Sequence, residues 1–213
     1  MSTLAAILLA GGRATRVDGA AKPLFDVGGR TLLRHAVEAA AAAGAWPVTI
    51  VGPEPHADLH PEVAVAAASI PTAVTWTREQ PPFGGPVAGI VAALESWDAA
   101  PEWTLVLATD LPGAQAAAAR LVRDLVLLPT DTDGLCLADA RSRPQWLIGV
   151  YRTAALRRGA AALPDRGHGA SVHELLDDLA IATVVAPEGE TADVDTWEDL
   201  TRARRRFSEE ETP

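Results

Sequence analysis

The chain has 213 residues, 48% of them hydrophobic and 22% charged, which is enough apolar material for a packed core and excludes a chain disordered throughout. Its net charge of -10 argues against a surface built to neutralise nucleic-acid phosphates, and its single cysteine, Cys136, rules out an internal disulfide framework. No apolar run could span a membrane and no secretory leader is recognisable, so a soluble cytoplasmic protein is expected.

Residues 4–9 form an apolar run that ends in Gly11-Gly12 and predicts a buried strand, followed by a polar, glycine-bearing loop to Pro23. In "GGRTLLRHAVEAAAAAG", Leu32, Leu33, Ala36, Val37 and Ala40 share a helical face, and Gly44 can end the helix. Residues 47–52 predict a second strand. Residues 53–72 carry four prolines and two histidines and read as irregular, with "EVAVA" a short edge strand at most. A strand over 73–77 leads through the loop "REQPPFGG" to a helix with Pro86 in its first turn, where a missing N–H does no harm.

Residues 103–108, "WTLVLA", are near-continuously apolar, as in the centre of a parallel sheet, and Asp110 follows at once. An amphipathic helix, "AQAAAARLVRDLVLL", comes next. "GLCLAD" and "QWLIGVY" predict two strands close enough to pair antiparallel, and "TAALRRGAAAL" a helix. Ser171 and Glu174 stand in capping-box spacing before a further helix, and "AIATVV" is a strand. Thr196 and Asp199 repeat the capping pattern, so a last helix starts near Trp197. Strands alternating with helices predict an α/β fold: a mostly parallel central sheet of about seven strands with helices on both faces. With no linker or repeat visible, residues 1–206 read as one domain and 207–213 as a frayed polar tail.

The opening "LLAGGRATRVDGAAKP" matches neither the G-x-G-x-x-G dinucleotide fingerprint nor the P-loop, since Lys22 follows Ala21 and precedes Pro23. Its backbone N–H groups could still line a phosphate site, and Arg13, Arg16 and Lys22 put three positive charges within ten residues of an acidic chain. From the loop alone, an ordinary loop with solvated arginines is the better reading. Lys22 is the only lysine among 18 basic residues. A site that admits only a compact cation would account for that, and so would coding bias.

Asp110 lies past a central strand, where open α/β sheets bind ligands and where a carboxylate could hold a metal ion; capping the Leu111-Pro112 turn is the plain alternative. Asp193 and Asp195 stand two apart before the last helix, so in an extended segment both project to one side and invite a divalent cation such as Mg²⁺ between them. Here the alternative is one helix cap and one solvated acid. His56 and His60 have metal-ligand spacing but are flanked by prolines with no third ligand evident. "RARRR" over 202–206 reads as a solvated helix end, Cys136 as core, and most tryptophans as packing.

Together these segments resemble the MobA-like nucleotidyltransferases, the family of molybdenum cofactor guanylyltransferases. "LLAGGRATRVDGAAKPLF" resembles the family's L-A-G-G-x-[SA]-x-R-M-G opening with its following lysine. "GGPVAGIVAAL" resembles its G-P-L-A-G segment, "LVLATDLP" its C-D-x-P strand end, and "DVDTWEDL" its N-x-N-T-P-E-[DE]-L ending. The four hold their order over residues 4–206.

The resemblance implies a Rossmann-like three-layer sandwich and a Mg²⁺-dependent transferase that joins GMP from GTP, or another nucleotide, to phosphorylated molybdopterin. It implies that Leu9, Ala10, Gly11 and Gly12 hold base and phosphates, with Arg13 beside them. Arg16 and Lys22 would contact the triphosphate, Asp110 and Asp195 the metal, and Asp193 and Asp195 the acceptor. Gly85 would lie near the base, with Glu79 or Gln80 where some members place an Asp. It also implies a monomer or weak oligomer in transient contact with molybdoenzyme assembly proteins.

Departures are Val17-Asp18 for the usual Met, Thr109 for the Cys before the metal Asp, and two Asp for the Asn pair. Sibling transferases remain alternatives, using CTP with molybdopterin or GTP with a phosphorylated small acid. So does a nucleotide-binding regulator without catalysis. A dehydrogenase is disfavoured by the missing fingerprint.

Overall fold

The computed structural model describes residues 3–11, 20–54, 73–99 and 101–210; His56, His60 and the expected "EVAVA" edge strand lie outside them. In chain order the elements are β1 (Leu4–Leu9), β2 (Asp26–Val27), β3 (Arg30–Thr31), α1 (Leu32–Ala42), β4 (Val48–Val51) and β5 (Val74–Thr77). There follow α2 (Pro86–Glu95), β6 (Trp103–Ala108), α3 (Ala114–Leu125), β7 (Gly134–Ala138), β8 (Pro144–Arg152) and α4 (Thr153–Ala162). The chain closes with α5 (Val172–Leu176), β9 (Ile181–Val185), α6 (Glu188–Thr191) and α7 (Trp197–Glu210).

The main sheet has seven strands in the order β5-β4-β1-β6-β8-β7-β9, and only β8 runs against the others. Both faces are covered, which is why the central strands are mostly apolar. Successive side chains of β1 point to opposite sides. Ala6 and Leu8 enter the cluster under α1 and α3, while Ala5 and Ile7 enter the one under α2, α4 and α5. The chain passes from β1 to β4 and β5 on one side, then crosses to β6 on the other. The carboxyl ends of β1 and β6 therefore flank a topological switch point.

The helical face from Leu32 onward forms as expected, and one expectation changes at the carboxyl end. Gly28 and Gly29, at φ 62° and 72°, turn the β2–β3 hairpin, and α1 starts at Leu32 under a Thr31 cap whose hydroxyl accepts from the Arg34 N–H at 3.2 Å. Residues 207–210 are not a frayed tail, because α7 runs to Glu210. Leu200, Ala203 and Phe207 recur at helical spacing and pack with Val27 and Leu32, and the Phe207 ring lies 5.3 Å from that of His35. Both capping boxes form as the spacing predicts, Ser171 with Glu174 and Thr196 with Asp199. Cys136 is buried in β7, where burial pushes its thiol up to about 12. No helix among the described residues is long and apolar enough to cross a membrane.

Candidate active site

Beyond the carboxyl ends of β1 and β6 the chain brings together segments distant in sequence. The turn after β1 is fixed by its neighbours. The Leu9 carbonyl accepts from both the backbone N–H and the hydroxyl of Thr109, at 3.2 and 2.9 Å, and the Ala10 N–H donates to the Val51 carbonyl at 2.8 Å. Those two backbone groups are thus committed within the protein, and Gly11 is exposed. Gly12, Arg13, Arg16 and Asp18 lie outside the described residues.

Lys22 opens a 3₁₀ turn, Lys22–Leu24. Its side chain is only 15% exposed, and its ammonium hydrogen-bonds the Asp195 carboxylate and stands 4.0 Å from that of Asp110. Asp110 is the second residue after β6. The segment 193–195 runs alongside, because the Val194 N–H donates to the Asp110 carbonyl at 2.9 Å. Val194 is buried with Leu32 and Leu200, so Asp193 and Asp195 project to the opposite side. One carboxylate oxygen from each of Asp110, Asp193 and Asp195 lies within 4.8 Å of the others.

Like charges at this spacing are held at a cost. Burial, and then the Asp193 charge, push the Asp110 carboxyl up from 3.8 to about 6, against the pull of Lys22. Burial and the Asp195 charge raise Asp193 as well. Three hard oxygen donors converging in this way fit a divalent cation of the Mg²⁺ or Mn²⁺ type. Asp199 stays out of the cluster. Its carboxylate accepts from the Thr196 N–H and hydroxyl, at 2.9 and 2.7 Å, and the Thr196 hydroxyl bond leads in lowering its pKa.

The loop after β5 lies at the same edge of the sheet. The first turns of α2 pack on the ends of β1 and β4, where a Cβ on Gly89 would come 2.9 Å from Val51 Cγ1 and 3.4 Å from Leu9 Cδ2. Gly85 is the N-terminal cap of α2. Glu79 is spent locally, accepting from the Phe83 N–H at 2.9 Å, and Gln80 is exposed.

Sequence reasoning missed two features. Phe25 and Trp197 stack with centroids 5.2 Å apart, tying the Lys22 turn to the start of α7. A chain-order reading has no signal for an aromatic contact spanning most of the chain, although Trp197 stands where the family's ending has Pro. The second feature is an ion pair of Arg120 with Glu190, considered below.

The fold is that of the α/β nucleotidyltransferases, and the chain belongs to the MobA-like NTP transferase domain family, whose model matches residues 6–180. Asp193 and Asp195 lie beyond the matched stretch. A nucleotidyl transferase from Methanothermobacter thermautotroptrophicus is similar in structure at 21% identity, with TM-score 0.70, covering 98% of this chain and 99% of that one. A 4-diphosphocytidyl-2C-methyl-D-erythritol synthase from Anaerococcus prevotii is similar at 12% identity, with TM-score 0.64, covering 97% and 99%. Identities this low show the fold alone. No curated protein sequence matches the chain.

Proposed function

We propose that this nucleotidyltransferase-family protein transfers GMP from GTP to the phosphate of molybdopterin and releases pyrophosphate, with Mg²⁺ held by Asp110 and Asp195. The observation that carries the reading is the convergence of Asp110, Asp193, Asp195 and Lys22 at the switch point of the sheet. An oxygen of the acceptor phosphate attacks the α-phosphorus in line, and the bond to the β-phosphate breaks. Such a transfer asks the protein mainly for positioning and charge neutralisation.

Mg²⁺, when bound, supplies positive charge where phosphate oxygens gather. Lys22 spends one of its three N–H donors on Asp195, which leaves the ammonium able to meet a phosphate oxygen as the nucleotide arrives. Arg16 adds a second cation on the pyrophosphate. Asp193 orients the acceptor. Leu9, Ala10, Gly11, Gly12 and Arg13 line the nucleotide, and Gly11 is exposed.

A second reading, a sibling transferase using CTP, draws on Glu79. Its carboxylate is taken by Phe83, which leaves Gln80 and the backbone before Gly85 to meet the base. An amide both donates and accepts, so it suits either base. The test is pyrophosphate release from GTP, CTP, ATP and UTP, each with and without a molybdopterin-type acceptor. Release with GTP only when acceptor is present is expected. Release with CTP instead selects the sibling, and nucleotide binding without release on any acceptor refutes transfer.

A further inference from the structure

The chain that carries Asp193 and Asp195 leaves β9 at the far edge of the sheet, yet must reach Asp110 beyond β6. Three strand spacings of about 4.8 Å separate the two, roughly 14 Å in all. Three contacts fix the crossing. At its start the Ala186 N–H donates to the Ala138 carbonyl at 3.0 Å, and at its end the Val194 N–H donates to the Asp110 carbonyl at 2.9 Å. At mid-span Arg120 of α3 grips Glu190 with two bonds, Nε to Oε2 at 2.5 Å and Nη2 to Oε1 at 2.8 Å. The side chains are 24% and 14% exposed, so water competes little for the pair.

The backbones close on each other at the same place. A Cβ on Gly113, the residue before α3, would lie 1.9 Å from the Gly189 carbonyl oxygen, so only glycine allows this approach. On another side of Gly189, a Cβ would meet Arg206 Nη1 of α7 at 2.9 Å. The stretch Glu188–Thr191 is thus seated between two helices. Asp110 lies four residues before α3, and Arg120 lies within that helix. One rigid helix therefore bears on both halves of the carboxylate cluster, through the chain on one side and through a two-bonded ion pair on the other.

We infer that the Arg120–Glu190 pair is a positioning device that holds the arm over 186–195 so that Asp193 and Asp195 face Asp110 closely enough to share a divalent cation. The inference rests on the cation-binding reading of that cluster. Neither residue touches a reacting atom; each acts through the backbone of the arm. Lysine at position 120 would keep the charge but not the planar fork, so it should recover part of the effect. Arg123, on the same helix, makes its ion pair with Asp124 rather than with Glu190 and supplies the control.

The test is Mn²⁺ affinity, read by paramagnetic resonance on protein without nucleotide, together with hydrogen exchange over 186–195 and thermal melting. For Arg120→Ala and Glu190→Gln the expected result is Mn²⁺ binding about tenfold weaker, the lower end for residues that support metal ligands, with faster exchange confined to the arm. Arg120→Lys should fall between, and Arg123→Ala should match the parent. Folded Arg120→Ala and Glu190→Gln proteins that bind Mn²⁺ as tightly as the parent overturn the inference while leaving the cation reading intact. A parent protein that binds no Mn²⁺ overturns both.

Discussion

Asp110→Asn should make the cation-free protein more stable and at the same time insensitive to Mg²⁺. The Asp110 carboxyl is raised from 3.8 to about 6, so the folded protein holds that proton more tightly than the unfolded chain does. The stabilisation this gives is complete below about pH 4 and is lost as the pH climbs through 6. At pH 7.5 the ionised group costs the fold about 3 kcal/mol, from a rise of about two pH units at 1.36 kcal/mol each. That net figure already includes the attraction of Lys22. Asparagine keeps the shape and cannot ionise, so it escapes the cost. For a chain of this length the gain corresponds to a melting point roughly 6–12 °C higher. Parent and variant would be melted from pH 4 to 8 in a chelator and again in Mg²⁺. In the chelator the parent should lose stability as the pH rises through 6, and the variant should lose less, keeping only the smaller slope that Asp193 contributes. Mg²⁺ at a hundred times its Kd should add about 2.7 kcal/mol to the parent and nothing to the variant. A variant no more stable than its parent at pH 7.5 in chelator, with the same pH slope, would refute the reasoning.

Other outcomes follow from the same geometry. Lys22→Ala should lower turnover on the order of 10²–10³ at saturating nucleotide while the protein still folds; near-normal turnover would remove Lys22 from the chemistry. The same variant takes the only lysine out of the cluster, so its stability should rise more from chelator to Mg²⁺ than the parent's does, measured by melting in each. Deleting residues 207–213 should cost about 1 kcal/mol, a few degrees of melting temperature, because it removes the Phe207 ring from Gly28 and His35; an unchanged melt would show those contacts to be idle. Cys136 should resist a thiol reagent in native protein at pH 8 and react on unfolding, since its thiol is buried and raised to about 12.

Much of the fold was legible because its signals are local. Continuous apolar runs over 4–9 and 103–108 mark strands covered on both sides, and Ser171/Glu174 and Thr196/Asp199 mark helix starts through bonds made within four residues. Where two local signals meet in "GGRTLL", each keeps its own structure: the glycine pair turns a hairpin at positive φ and the apolar pattern starts the helix after it. At the carboxyl end, the polar letters of "SEEETP" hid that Phe207 completes an apolar stripe begun at Leu200. Pairings such as Phe25 with Trp197 and Arg120 with Glu190 leave no trace in the order of residues, because each depends on where the sheet returns the chain.

The candidate site shows the same division more sharply. The opening loop alone does not distinguish a phosphate cradle from a solvated turn, and Asp110 alone does not distinguish a metal ligand from a cap. The alternation of "DVD" does fix a relation: with Val194 buried, both aspartates must point the other way. Only the tertiary fold adds that the other way is toward Asp110 and Lys22. Three carboxylates and one ammonium then share a small volume, and the cost of gathering them appears as the raised Asp110 and Asp193. A fold gains nothing in stability from such crowding, since a capping or solvated aspartate would carry no such cost. The repulsion is relieved when a divalent cation enters, so the strain held without the ion is the part of the site that argues for binding one.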